Sequence, residues 1–261
     1  MKFTKYHGAG NDFVMIDGRA GWPFDPNDQY LIESLCHRRF GIGADGLIVL
    51  TGHELLDFDM SYYNSDGKTS SLCGNGGRCI VAFAAELGIT PQSKDGHYRF
   101  MAIDGKHRAK LLPTGLVSLE MLPVDRVETL ENDFVLETGS PHYVSRVEDV
   151  DQVDIISAAH QVRYNDRFAA EGINVNFIAQ KSEDELIIRT YERGVEDETY
   201  ACGTGVVAAA IVQARQAGPG TYETTIHAKG GTLSVKLSWD GERASEIWLR
   251  GGAERVYSGD W

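Results

Sequence analysis

The stretch Cys73-Gly74-Asn75-Gly76-Gly77-Arg78 recurs in shortened form as Cys202-Gly203-Thr204-Gly205, 129 positions downstream. Each copy is a cysteine, a glycine, a small polar residue and a second glycine, and each runs straight into an apolar segment, residues 79–85 and 206–212. That is how a helix begins. Unpaired backbone N–H groups and the positive end of the helix dipole favour an anion at such a start and draw a thiol toward thiolate. Two such junctions in one chain predict a duplicated unit carrying a pair of thiols that face each other across a cleft.

The surrounding order of elements repeats as well. In the first half a strand over 3–17 is interrupted by the polar glycine loop His7 to Asp12, which offers Asn11. A helix over 28–39 follows, with Cys36 in its packing face and Gly41 placed to end it. Strands over 47–50 and 57–64 lead through Asn64 and a turn to the first cysteine helix, which stops at Gly88. Alternating strands over 98–122 turn at Asp104-Gly105 and at Pro113-Thr114-Gly115. In the second half a strand broken at Gly139-Ser140-Pro141-His142 precedes an amphipathic segment over 150–162. Strands over 173–179 and 185–191 then lead through Glu192-Arg193-Gly194 to the second cysteine helix, closed by Gly218-Pro219, and to strands over 224–237 and 246–250. Asn64 lies nine residues before Cys73 and Glu192 ten before Cys202, so the two occupy corresponding places. The expectation is an α+β fold of two pseudo-symmetric halves, each a curved, mostly antiparallel sheet wrapped around a central helix. Residues 1–116 with 252–261 form the half with Cys73, and 117–251 the half with Cys202.

Gly41-Ile42-Gly43-Ala44-Asp45-Gly46 matches the dinucleotide-binding glycine pattern, yet it follows a helix and precedes a strand, the reverse of what that fingerprint requires. No nucleotide cofactor is expected. A net charge of −13 argues against nucleic acid or an anionic membrane as partner. With no apolar core in the first twelve residues and no long apolar run, a soluble cytoplasmic protein is expected.

Two thiols on opposite sides of a carbon acid can remove a proton from one face and return one to the other, which inverts a stereocentre without a cofactor. Each sulfur must then stand roughly 3–3.5 Å from the carbon. One is thiolate while the other is thiol, and Gly74, Asn75, Gly203 and Thr204 supply the N–H groups that stabilise the developing anion. Glu192 and His142 are placed to bias the pair. Other readings are weaker. Structural zinc needs closely spaced cysteine pairs, whereas Cys73 and Cys79 have five residues between them. A redox dithiol needs Cys-x-x-Cys. A non-catalytic anion-binding module explains the glycines but not the cysteines.

Taken together, His7 to Phe13, Gly41 to Gly46, Asn64 to Gly67, Cys73 to Cys79, Asn174-Val175-Asn176-Phe177, and Glu192-Arg193-Gly194-Val195 with Cys202 to Gly205 resemble the diaminopimelate epimerase family nearly end to end. The resemblance implies a pyridoxal-phosphate-independent interconversion of LL- and meso-2,6-diaminopimelate in lysine and peptidoglycan precursor synthesis, commonly by a homodimer. It implies that Cys73 and Cys202 are the acid/base pair and that Asn75 and Thr204, with Gly74 and Gly203, receive the reacting carboxylate. Asn11, Asn64, Asn174 and Arg193 would hold the far ammonium and carboxylate, with His142 and Glu192 tuning the thiols. Two departures stand out: Ser140 where many relatives have asparagine, and Gly46 where some have glutamine. Within the class, a proline-racemase-like enzyme would need no far-end clamp.

Overall fold

A helix that is apolar nearly all the way round must be enclosed, and each of the two units of this chain is a sheet built around one such helix. The computed structural model describes residues 1–70 and 73–261. The first unit comprises Met1–Leu119 with Gly251–Trp261, and the second Glu120–Arg250.

In the first unit, strands β1 (Lys2–Gly8) and β2 (Asn11–Asp17) are followed by helix α1 (Gln29–Cys36), strands β3 (Gly46–Thr51) and β4 (Phe58–Asn64), helix α2 (Gly74–Glu86) and strands β5 (Tyr98–Ala102), β6 (Gly105–Leu111) and β7 (Val117–Glu120). The second unit has strands β8 (Val127–Leu130), β9 (Asp133–Glu137) and β10 (Pro141–Arg146), helix α3 (Ile155–Arg163), strands β11 (Asn174–Ser182), β12 (Glu185–Glu192) and β13 (Asp197–Thr199), helix α4 (Gly203–Ala217) and strands β14 (Gly220–Ala228), β15 (Gly231–Trp239) and β16 (Ala244–Gly251). The last strand, β17 (Glu254–Asp260), returns to the first unit and pairs with β1.

The sheet order is β17-β1-β2-β3-β4-β5-β6-β7 in one unit and β8-β9-β10-β11-β12-β14-β15-β16 in the other. In both, neighbouring pairs run antiparallel, antiparallel, parallel, antiparallel, parallel, antiparallel, antiparallel. The expected α+β architecture of matching halves is therefore present, with β13, paired antiparallel to β12, as an addition to the second unit. A parallel pair needs a long crossover, and the helices supply it: α1 and α3 cross the first parallel pair, α2 and α4 the second.

Helix α2 packs against β1, β2, β3 and β6, and α4 against β9, β10, β11, β12, β14 and β15, so each helix touches strands from well-separated parts of its sheet. Every residue from Val206 to Val212 is buried, and each large aliphatic side chain so placed contributes roughly 1.5–3 kcal/mol. Helix α4 ends at Gly218, whose φ of +94° suits glycine and whose N–H bonds to Ala214 O.

Two elements are shorter than their periodicity suggests. Helix α1, capped by Asp28 at Leu31 N, stops at Cys36 because the glycine loop folds back under it. Ile42 N and Gly43 N bond to Leu35 O, and Ala44 N to Cys36 O. A Cβ at Gly41 would lie 2.0 Å from Ser34 O. The loop N–H groups that a dinucleotide fingerprint would offer to phosphate are here spent on helix carbonyls. The amphipathic segment splits into a 3-10 turn, Val150–Gln152, and α3, because Asp154 caps a fresh start through Ser157 N.

A charged cluster ties the entrance of β2 to this loop. Asp12 pairs with Lys5 at 2.7 Å and with Arg38 at 2.8 Å, and Arg38 reaches Asp45 at 2.6 Å. Burial pushes the Asp12 carboxyl up, but hydrogen bonds from Arg38 and Lys5 outweigh it and bring it to about 2. Because the folded value lies below the unfolded one, the stabilisation is complete above about pH 4 and is lost as pH falls through about 2. Asp12→Asn is expected to cost on the order of 2 kcal/mol near neutrality and to flatten the acid limb of stability between those values. Urea unfolding at pH 7, 4 and 2.5 checks this; an unchanged acid limb would count against it.

Candidate active site

Cys73 and Cys202 occupy the same local position, the residue before the first turn of α2 and α4. Both have extended backbones, with φ/ψ of −87°/128° and −106°/111°, and neither thiol caps its helix. Cys73 O and Cys202 O accept the first intrahelical bonds, from Gly77 N at 2.7 Å and Val206 N at 2.9 Å. The sulfurs are thus left for other partners at the positive end of a helix. Neither of the other two cysteines begins a helix: Cys36 ends α1 and Cys79 lies inside α2, and burial pushes each up to about 12.

In the first unit the structure brings together Asn11, Cys73, Gly74 and Asn75. Asn11 Nδ2 donates to Asp45 Oδ2 at 2.8 Å, which turns Asn11 Oδ1 toward α2, where it accepts from Asn75 Nδ2 at 3.3 Å and from Cys73 Sγ at 3.5 Å. Asn75 Oδ1 in turn accepts from Arg78 Nη2 at 2.8 Å. A carboxylate only accepts and a guanidinium only donates, so the two ends dictate how both amides are turned. Arg78 is fully buried, and its other acceptors, Gly74 O and Gly252 O, are uncharged. Burial lowers its pKa, while Cys79 and Cys73 act on it in the opposite sense. A buried cation next to Cys73 favours a thiolate there. Asn64 ends β4, held through its backbone to Lys68 O and Gly67 N.

The second unit gathers Ser140, His142, Asn174, Arg193, Cys202, Gly203 and Thr204. Cys202 Sγ lies 3.4 Å from Thr204 Oγ1, and His142 Nε2 lies 2.9 Å from that hydroxyl. Burial pushes His142 down to about 3; the Asn176 bond opposes this and the Arg193 charge adds to it. Burial therefore favours the neutral imidazole. Asn174 Oδ1 accepts from Arg193 N at 2.9 Å, and its Nδ2 donates to Ser140 Oγ at 2.9 Å. The Arg193 guanidinium is exposed and anchored to Glu171 O at 3.0 Å and Ser140 Oγ at 3.4 Å. Glu192 is the last residue of β12, as Asn64 is of β4, and accepts from the Thr199 hydroxyl.

Sequence reasoning passed over Asp45, Arg38, Arg78 and Asn176 as contributors to these half-sites. Asn176 carried a usable signal, being the lone amide inside the apolar run 175–179. The departure at Gly46 has a steric basis: a Cβ there would lie 2.6 Å from Tyr62 Cε2 and from Tyr63 O, so the place of a longer side chain is taken. Gly46 begins β3 as Asn174 begins β11, which leaves only the second unit with an amide at that register. Among the described residues, no group of three or more His, Cys, Asp or Glu side chains is disposed to hold a metal ion.

Gly205 is a further fixed point, because a Cβ there would lie 2.4 Å from Asn176 Oδ1. Asn176 is fully buried and bonded on both sides, so it cannot step aside cheaply. Gly205→Ala is expected to cost about 1–3 kcal/mol and to lower turnover at least about tenfold by displacing His142 and Thr204. Thermal unfolding and steady-state kinetics on one preparation check this. Wild-type values for both would show that the contact is soft.

Comparison with known proteins gives the family and the fold. A family model described as diaminopimelate epimerase matches residues 3–108 and 134–256. The chain is 44% identical over 257 residues to a diaminopimelate epimerase of Flavobacterium psychrophilum, covering 98% of each. It is 43% identical over 258 residues to one of Chlorobaculum tepidum, covering 97% of this chain and 98% of the relative. Among solved structures, a PhzF-family phenazine biosynthesis protein of Bacillus anthracis aligns with a TM-score of 0.73 at 14% identity, over 99% of this chain and 98% of its own. A hydroxyproline epimerase of Agrobacterium vitis aligns with a TM-score of 0.68 at 15% identity, over 99% and 91%. At that identity the structures share the fold alone.

Proposed function

Because the chain belongs to the diaminopimelate epimerase family, we propose that it interconverts LL- and meso-2,6-diaminopimelate by two-base proton transfer between Cys73 and Cys202, without a cofactor. The family match across nearly the whole chain carries this reading. In it, one thiolate takes the α-proton from one face and the other thiol delivers a proton to the opposite face. Each turnover therefore exchanges the thiol and thiolate roles, and no net proton or electron is consumed.

The α-proton of an amino acid is weakly acidic, so the barrier falls only if charge building on the carboxylate meets fixed donors in a dry site. Backbone N–H groups of Gly74, Asn75, Gly203 and Thr204 at two helix starts fill that role in our reading. Asn11, Asn64, Asn174 and Arg193, with Ser140, hold the second ammonium and carboxylate. His142 and Glu192 tune the thiols; a buried neutral imidazole does so as a hydrogen-bond partner and not as a proton acceptor. On the same likeness we place the enzyme in the cytoplasm as a homodimer. None of the described helices is long and apolar enough to cross a membrane.

The deciding experiment is incubation of the pure protein with LL-diaminopimelate in heavy water, followed by NMR and chiral chromatography. Appearance of the meso isomer with deuterium at the inverted carbon is the expected result. No exchange at any α-carbon would leave the anion-binding module as the better reading, and racemisation of proline would favour the proline-racemase-like alternative.

A further inference from the structure

Asn176 is an amide in the middle of β11, fully buried between Val175 and Phe177. A polar side chain there is costly unless its valences are bound. Asn176 Nδ2 donates to Tyr143 O at 2.9 Å and faces His142 Nδ1 at 3.0 Å, while its Oδ1 accepts from Thr190 Oγ1 at 3.0 Å. The Tyr143 carbonyl can only accept, so the amide cannot be turned round: two oxygens would then meet at 2.9 Å. An N–H therefore points at His142 Nδ1, which must be the unprotonated nitrogen.

The single proton of a neutral imidazole is then on Nε2, 2.9 Å from Thr204 Oγ1. Thr204 receives that bond, and its own hydroxyl proton is left to point at Cys202 Sγ, 3.4 Å away. The other neighbour of Nε2, Asn174 Nδ2, gives one N–H to Ser140 Oγ at 2.9 Å and stands 3.5 Å from the ring nitrogen, at the limit of a hydrogen bond, whereas the Thr204 hydroxyl is at 2.9 Å. The charged groups of this half-site include Arg193, which acts on His142, Glu192, which accepts from Thr199, and Glu137 of β9, opposite Pro141, which interacts with Arg193. None reverses the direction of the relay, because its starting end is set by a group that does not titrate, the Tyr143 carbonyl, and its far end is the Cys202 sulfur. Gly205 agrees independently, since its missing side chain leaves the space that Asn176 fills.

We propose that Asn176 is a positioning residue for the Cys202 half-reaction: it fixes His142 as the Nε2–H tautomer, so that the Thr204 hydroxyl donates to the Cys202 sulfur and holds it as thiolate. The inference rests on the acid/base role of Cys202 proposed above, and the readouts that decide it, the His142 tautomer and the Cys202 midpoint, do not need turnover.

In wild-type protein labelled with ¹⁵N-histidine, His142 is expected to show a protonated Nε2 and a bare Nδ1, unchanged from about pH 5 to 8, the window in which an ordinary histidine titrates. Cys202 is titrated through thiolate ultraviolet absorbance in a Cys73→Ser background, where Cys36 and Cys79, pushed up to about 12, stay silent. Thr204→Val is expected to raise the Cys202 midpoint by about one pH unit, the scale of one lost hydrogen bond. Asn176→Asp offers an acceptor in place of the donor; it is expected to move the His142 proton to Nδ1 and to lower kcat at least about tenfold with little change in KM.

An Nδ1–H tautomer in the wild type, an imidazolium forming between pH 5 and 8, or an unmoved Cys202 midpoint in Thr204→Val would each overturn the proposal, and the first two need no variant to fold. Failure of the epimerase reading shows differently, as absent α-carbon exchange with the expected histidine signals intact.

Discussion

Serine in place of Cys73 or of Cys202 is expected to lower kcat by a factor of about a thousand or more while leaving the unfolding midpoint nearly unchanged. A positioned acid or base contributes typically 10²–10⁴-fold, and a hydroxyl is a far poorer base than a thiolate at neutral pH. The two variants should fail alike, because inversion requires both removal and return of the proton. Neither thiol caps its helix, so the shorter oxygen costs the fold little. A further signature separates the pair from a single reactive cysteine: each variant can retain slow wash-in of deuterium from one substrate isomer while losing inversion. Activity near wild type in either variant, measured as the rate of meso-isomer formation, would sink the two-base mechanism.

Arg193→Gln is expected to reduce kcat/KM for diaminopimelate by about a hundredfold or more, mainly through KM. The guanidinium is exposed, yet its atoms are held by Glu171 O and Ser140 Oγ, and its backbone N–H by Asn174. A cation pre-positioned in this way spends little entropy on meeting a carboxylate. Removing one partner of a charge pair that the bound substrate buries costs about 2–5 kcal/mol, and each 1.36 kcal/mol is roughly tenfold. Gly172, at φ +76°, makes the arrangement possible: a Cβ there would sit 2.7 Å from Arg193 Cδ and 3.0 Å from Arg163 Cζ. If Arg193→Gln leaves KM for diaminopimelate unchanged, the far-end clamp lies elsewhere and the proline control becomes the more informative assay. Ser140→Ala, which loses one hydroxyl acceptor from the same cluster, should have a smaller effect in the same direction.

Much of the architecture was legible because it rests on local signals. Glycine after cysteine, an apolar run without interruption, and a glycine or proline beyond it mark both cysteine helices, and these signals need no distant partner. The match between Asn64 and Glu192 could be read from spacing alone and is seen again as the last residues of β4 and β12. Where local periodicity misled, a contact from outside the segment had intervened. Residues 38–39 continue the helical pattern of α1, but the glycine loop takes the carbonyls of Leu35 and Cys36 and ends the helix early.

By itself the sequence determined that the chain is a duplication, that each copy encloses a helix begun by cysteine, and which family it resembles, because periodicity, helix punctuation and repeated motifs are properties of neighbouring residues. Only the tertiary structure decided how the polar groups around those cysteines are turned. The directions of the Asn11, Asn75 and Asn176 amides and of the His142 proton depend on Asp45, Arg78, Tyr143 and Thr190. Several of these partners come from other strands or loops, brought within hydrogen-bond distance only when the sheets form. An asparagine is equally willing to donate or accept, so nothing in its own letter or its neighbours' says which it does; a carboxylate, guanidinium or carbonyl placed against it by the fold does.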